Sequence, residues 1–284
     1  MKRVFFLILT VALVMIVGCN KENNDDIVMM TMSTAKSGDV QISMEGVGTI
    51  NIDWGDGTEI ESHVLVPFVD MGGWTTSVRT EFSHSYTDTH TRTIKIIGEN
   101  ITCLECSNNQ LTSLDVSKNN ALRNLYCDDN QLTSLDVSKN IALFEFFCWN
   151  NQLKSLDVSK NTGLAFLQCG NNQLTSLNVS KNTGLRTLQC AINQLTSLDV
   201  SNNTALYHLY CYSNHLKSLD MSKNVELCYL QCINNQLDFA SLNALFRTLN
   251  NNYFDWSKSI YMGSNPGTNT CTQNIAEDKG WTFY

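Results

Sequence analysis

From residue 99 to residue 236 the apolar positions follow neither a helical nor a strand spacing, but a fixed period of 21 residues. In the stretch from Leu122 to Asn140, the apolar positions are Leu122, Leu125 and Cys127, then Leu132, Leu135 and Val137. The same order returns from one unit to the next, which predicts a stack of like coils that bury a shared interior. Leu125 and Cys127 alternate as on a short strand with both side chains inward, and stacking places neighbouring strands about 4.8 Å apart in a parallel sheet. Before the period begins, residues 27–98 alternate residue by residue. Strands are expected over 27–32, 40–44, 49–54, 59–66, 79–85 and 92–97. After it ends, Leu245 and Leu249 follow Leu242 at three- to four-residue spacing. They predict a short helix that opens a cap over the last apolar layer.

The repeated phrase is Leu-x-x-Leu-x-Cys-x-x-Asn-x-Leu-x-x-Leu-Asp-Val-Ser-x-Asn. Such a phrase at such a period is the signature of a leucine-rich repeat. The expected fold is therefore a leucine-rich repeat solenoid (a parallel sheet with coils of mostly β and loop), preceded by a small β-sandwich-like domain. The corresponding division is 1–19 signal, 20–26 polar tether, 27–98 β domain, 99–236 solenoid of seven coils and 237–284 C-terminal cap. The cysteine-bearing repeat resembles the surface leucine-rich-repeat lipoproteins of Bacteroidetes-like anaerobes, and more distantly internalins. Asn265-Pro266-Gly267-Thr268 and Lys279-Gly280-Trp281 resemble a closing phrase of those proteins. Asp53-Trp54-Gly55-Asp56-Gly57-Thr58, with Phe82-Ser83-His84-Ser85-Tyr86, resembles the PKD-type sandwich, which implies a spacer or adhesion module.

Two columns hold the coils in register. Cys106, Cys127, Cys148, Cys169, Cys190, Cys211 and Cys232 point inward as small, apolar thiols. Facing the same way at strand spacing, and odd in number, they are expected to stay unpaired. A disulfide among Cys103, Cys228 and Cys271 is left open. Asn109, Asn130, Asn151, Asn172, Asn193, Asn214 and Asn235 end the strands and should bond the backbone where it turns away. Ser138 and Asn140 turn the chain back.

Lys2 and Arg3 precede an apolar run from Val4 to Val17, followed by Gly18-Cys19. This is a secretory signal whose Ile16-Val17-Gly18-Cys19 end resembles a bacterial lipobox, with Cys19 as the lipidated residue. After Cys19, a lysine followed by acidic residues in Asn20-Lys21-Glu22-Asn23-Asn24-Asp25-Asp26 resembles the signal that sends lipoproteins of Bacteroidetes-like bacteria to the outer face of the outer membrane, which implies surface display with the membrane touched only through the lipid. Without Lys2 and Arg3, 17 basic and 27 acidic side chains remain, net −10. That balance excludes the nucleic-acid binders, which need clustered Lys and Arg.

The outward strand positions vary between coils while the convex phrase hardly does. They are Cys103, Glu105, Ser107; Asn124, Tyr126, Asp128; Glu145, Phe147, Trp149; Phe166, Gln168, Gly170; Thr187, Gln189, Ala191; His208, Tyr210, Tyr212; and Tyr229, Gln231, Ile233. Exposed aromatics mark an interaction surface. The expected ligand-binding set is Tyr126, Asp128, Glu145, Phe147, Trp149, Phe166, Gln168, Gln189, His208, Tyr210, Tyr212 and Tyr229. A protein or peptide partner fits these side chains, a glycan is the alternative, and a purely structural role would have the aromatics shield the sheet. The chain is expected to be a monomer. No cofactor is implied. Asp53, Asp56 and Glu59 suggest turn capping before calcium. Glu105, Asp128 and Glu145 come together by stacking alone, with no nucleophile and base pair to suggest an enzyme.

Overall fold

The computed structural model describes residues 28–66, 69–70, 75–76, 79–252 and 257–284. The signal, Cys19 and the tether lie outside the described residues. Alternation in the N-terminal part becomes β1 (Val28–Thr34), β2 (Gly38–Gly46), β3 (Gly48–Asp53), β4 (Glu61–Leu65), the short β5 (Val69–Asp70) and β6 (Thr75–Thr76), β7 (Thr80–Tyr86) and β8 (Arg92–Gly98). The coils follow with β9 (Ile101–Glu105), β10 (Leu111–Asp115), β11 (Asn124–Tyr126), β12 (Glu145–Phe147), β13 (Phe166–Gln168), β14 (Thr187–Gln189), β15 (His208–Tyr210) and β16 (Tyr229–Gln231). The C-terminal part holds α1 (Phe239–Thr248), β17 (Lys258–Tyr261), α2 (Asn274–Glu277) and β18 (Trp281–Phe283).

Two sheets carry the molecule. One has the order β10-β1-β8-β3-β4; the other runs through eleven strands, β18-β17-β16-β15-β14-β13-β12-β11-β9-β2-β7. The parallel sheet of the coils therefore continues into the N-terminal part, where β2 pairs antiparallel with β9 and β7 with β2. Between the two sheets Met30, Met32, Ile42, Met44, Ile50, Ile52, Trp54, Ile94 and Ile96 are buried. Trp54 is held on three sides. Its Nε1 donates to Glu61 (3.0 Å), its carbonyl accepts from the Tyr86 hydroxyl (2.5 Å), and its ring stacks on His84 at 5.1 Å. Asp53 and Asp56 are engaged by their own turn: Asp53 accepts from Gly55 N–H, and Asp56 from Thr58 N–H and Oγ1, while its second oxygen meets His84 Nε2 at 2.7 Å. Gly55 is required there, since at φ +76° a Cβ would lie 2.3 Å from the Thr93 carbonyl.

Within a coil the residues sit as their periodicity demands. Leu122, Leu125, Cys127, Leu132 and Val137 are fully buried, and Leu135 is half-buried. The seven ladder cysteines are free and buried, as are Cys103 and Cys228; Cys271 is free and half-buried. Burial pushes the Cys190 and Cys232 thiols up to about 12, so they do not ionise near neutrality. Thiol titration in denaturant without reductant should therefore find these ten cysteines reactive, and the folded protein should hide the ladder. Disulfides in the ladder on mass mapping would refute this geometry.

From Asn130 onward each strand-ending asparagine bonds two coils at once, while Asn109 bonds Gln41 of β2 in place of a preceding coil. Asn172 accepts the Leu153 N–H of the preceding coil at 2.9 Å and donates to the carbonyls of Cys148, Cys169 and Gly170. A second column, Asn119, Asn140, Asn161, Asn182, Asn203 and Asn224, is equally buried on the opposite wall. Asn140 does turn the chain, but it is also a buried ladder member, with Nδ2 donating to Val116 and Asn119 of the coil before.

One residue per coil takes a left-handed conformation just before the first asparagine column. The residues are Asn108, Asp129, Asn150, Asn171, Ile192, Ser213 and Asn234, with φ between 47° and 57°. Asn and Asp tolerate that region, but β-branched Ile192 does not. The neighbours form an exposed amide chain, Asn171 to Asn150 to Asp129, that Ile192 interrupts. Ile192→Asn should therefore raise stability by about 1 kcal/mol, read as a higher urea midpoint with unchanged slope. A lower midpoint would refute the strain argument.

The cap is built on α1, whose Asp238 side chain accepts from Ser241 N–H and whose Leu242, Leu245 and Phe246 are buried. The Lys279 ammonium closes its far end, donating to the carbonyls of Phe246, Arg247 and Leu249.

Candidate functional site

Strand register turns the outward positions into rows. One row runs Glu105, Tyr126, Phe147, Gln168, Gln189, Tyr210, Gln231, Tyr261 from strand to strand. Beside it runs Cys103, Asn124, Glu145, Phe166, Thr187, His208, Tyr229, Ser259. Nine of the twelve proposed ligand-binding residues fall in these two rows, while Asp128, Trp149 and Tyr212 follow the strand ends; not all are open. Tyr126 is only 8% exposed: its hydroxyl donates to Glu145, Phe147 meets its ring edge-on at 5.0 Å, and the Arg79 guanidinium covers it at 4.6 Å. Cys103, on the same side, is buried beside Arg79 and the end of β2. Neither is a surface anchor, because the N-terminal strands reach across the first coils.

Trp149 is half-buried for a local reason. A Cβ on Gly170 of the next coil would fall 1.9 Å from the Trp149 ring, so the indole lies across that glycine. Its backbone N–H donates to the Asp128 carboxylate at 2.7 Å. Burial pushes Asp128 up to about 6; the bond from Trp149 opposes this, and the Glu105 and Asp129 charges add to it. Phe166 packs edge-on with Phe144, while Gln168 and Gln189 form a half-buried amide centre.

The densest aromatic array lies toward the C-terminal end. His208 contacts Tyr207 (4.6 Å), Tyr229 (5.8 Å) and Tyr210 (6.2 Å), and burial lowers its pKa, which favours the neutral ring. Tyr210 to Tyr229 is 4.9 Å, Tyr229 to Tyr261 5.3 Å and Tyr261 to Tyr284 5.1 Å. Tyr212 is half-buried two residues further along its coil. Beside the array, Phe166, Arg186, Thr187, Tyr207, His208 and Glu226 help line a pocket of about 420 Å³.

Sequence reading missed Tyr261, Tyr284, Tyr207 and Arg79. The signal for Tyr261 was present: Ile260-Tyr261-Met262-Gly263-Ser264-Asn265 matches Leu209-Tyr210-Cys211-Tyr212-Ser213-Asn214, displaced by the insertion of α1. Asn265 does ladder work there, accepting from the Asn235 and Leu237 N–H groups.

Coils of this period around one parallel sheet, with a varied concave face, define a leucine-rich repeat solenoid. The chain is similar to the functional domain of InlJ from Listeria monocytogenes, a structure described as including a cysteine ladder. Identity is 27% over 68% of this chain and 50% of that one, with a TM-score of 0.36. It is also similar to an LRR domain of a Shigella effector (23% identity, 64% and 80% covered, TM-score 0.48) and to internalin InlF of Listeria monocytogenes (22%, 57% and 45%, 0.44). The chain spans half the length of the InlJ structure and less of the InlF one. No family model matches it, and no curated protein does. Among the described residues, no group of three or more His, Cys, Asp and Glu side chains is placed to hold a metal ion.

Proposed function

We propose that this protein is an outer-membrane lipoprotein displayed at the cell surface, anchored through Cys19, whose concave face binds a protein or peptide partner in adhesion. The observation that carries the binding reading is the tyrosine array from Tyr210 to Tyr284. A row of aromatics that varies from an otherwise repetitive coil, on the outward side of a sheet, is the composition of an interface. The ring geometry favours a polypeptide over a sugar. Interplanar angles of 37°, 36° and 18° turn the tyrosine faces toward one another, so the rings engage each other's faces. A sugar platform needs free ring faces; a peptide takes hydrogen bonds and edge contacts. The N-terminal domain, with its PKD-like turn, serves as spacer between anchor and solenoid, and the molecule acts as a monomer.

Truncating a central aromatic anchor costs about 2 kcal/mol of binding or more. Tyr210→Ala and Tyr261→Ala should each remove most binding to a ligand captured from host mucosal extract or the organism's own envelope, while Lys160→Ala on the convex wall should remove none. A saturable signal on a glycan array that survives both tyrosine changes would move the reading to the alternative. Metabolic labelling with a fatty-acid analogue should mark the wild type and spare Cys19→Ser. Equal labelling sinks the anchor.

A further inference from the structure

We propose that the recognition face continues from the solenoid onto the N-terminal domain, and that its partner is an extended polypeptide segment carrying lysine or arginine at that end. This rests on the concave-face reading above and adds the partner's chemistry and direction. The register is continuous: Glu81 of β7 is opposite Ser43 of β2, Ser43 opposite Glu105 of β9, and Glu105 opposite Tyr126 of β11. The row that ends in Tyr261 and Tyr284 therefore begins at Glu81. It crosses all eleven strands, about 48 Å at the usual strand spacing. At its start Gln41, Ser43, Glu81, Ser83, Glu105 and Ser107 line a pocket of about 430 Å³.

The two ends of this face differ in charge. Glu45, Glu81, Glu105, Asp128, Asp129 and Glu145 gather where the N-terminal domain meets the first coils. Arg79 bonds Glu45 at 3.0 Å and Glu105 at 3.5 Å. Among the described residues, no ion pair engages Glu81, Asp128 or Asp129. Burial raises the pKa of Asp128, and the neighbouring Glu105 and Asp129 charges add to it. At the far end the row's own side chains, Tyr210, Gln231, Tyr261 and Tyr284, carry no charge. A cationic side chain gains most at the first end, where complementary charge steers encounter and fixes orientation. An uncharged sugar chain would use none of it. At about 3.3 Å per residue, a chain of about ten residues reaches from Glu81 to Tyr210.

A random dodecapeptide library panned on the intact protein tests this. The enriched pool should be net positive, and labelled members should bind at least ten-fold more weakly to Glu81→Gln/Glu105→Gln and lose affinity as salt rises. Asp157→Asn/Asp199→Asn makes the same change in net charge on the convex wall, where Asn178 already does the same turn-bonding work; it should shift binding less than two-fold. A neutral or acidic pool, or equal weakening by both double variants, overturns the proposal. A pool lost on Tyr210→Ala but indifferent to the acidic changes overturns it and leaves the concave reading standing. A pool indifferent to Tyr210→Ala as well refutes both.

Discussion

Asn172→Ala is expected to cost about 1–3 kcal/mol, the price of stranding buried hydrogen-bonding groups. The side chain is the sole partner shown for the Leu153 N–H, and it ties three carbonyls from two coils to one amide. Alanine keeps the backbone and removes all four bonds where water does not reach. Because each coil contacts only its neighbours, a loss in mid-stack also weakens the coupling between the two halves of the solenoid. Urea denaturation should show a lower midpoint and a broader transition. Lys181→Ala, on an exposed turn nine residues later, should change stability by less than about 0.5 kcal/mol. Similar losses for both would mean that the asparagine column is not what holds the coils in register.

Asp128→Asn is expected to stabilise the protein at pH 7.5 and to flatten its stability between pH 4 and pH 7. The native pKa of about 6 lies above the ordinary carboxylate value, so the folded state holds the proton more tightly than the unfolded chain. The penalty for the ionised group is full above pH 6 and is relieved as pH falls toward 4. The shift corresponds to roughly 1–2 kcal/mol after allowance for solvent screening at a partly open site. Asparagine keeps an oxygen for the Trp149 N–H and carries no charge beside Glu105 and Asp129. Asp56 works in the opposite direction. Its bonds to Thr58 and His84 hold it at about 2, so its contribution is present above pH 4 and lost as pH falls through 2. Together these two carboxylates favour the fold most near pH 5, while the lowered pKa of His208 withdraws stability as pH falls below its ordinary value. A variant whose profile keeps the wild-type slope between pH 4 and 7 would clear Asp128 of that role.

Much of this was legible in the residues. The period placed the cysteine and first asparagine columns, and alternation placed the six longer N-terminal strands to within a few residues, because local side-chain spacing alone sets which face is buried. The second asparagine column was harder to see: a polar residue in a turn phrase looks solvated until neighbouring coils are stacked over it. The open and closed parts of the concave face were not legible either. Nothing near Tyr126 in the sequence announces that Arg79, 47 residues earlier, lies over its ring, and Trp149 gave no sign that Gly170 is its seat.

The heptapeptide Leu-Thr-Ser-Leu-Asp-Val-Ser marks the boundary between the two kinds of information. It occurs unchanged at 111–117, 132–138 and 195–201. In all three copies the first Leu and the Val are buried, because their spacing fixes the inward positions. Only the first copy is a strand, β10, since only there does β1 offer an antiparallel edge, pairing Thr31 with Asp115 and Met32 with Leu114. The other copies have a like coil on either side and remain irregular, their backbone groups meeting neighbouring loops. The sequence by itself determined the repeat, its interior and its columns, since these depend on spacing within one coil. Only the tertiary structure decided which copy joins a second sheet, and that the eleven-stranded face runs unbroken into the N-terminal domain, because strand pairing depends on which edge is within reach.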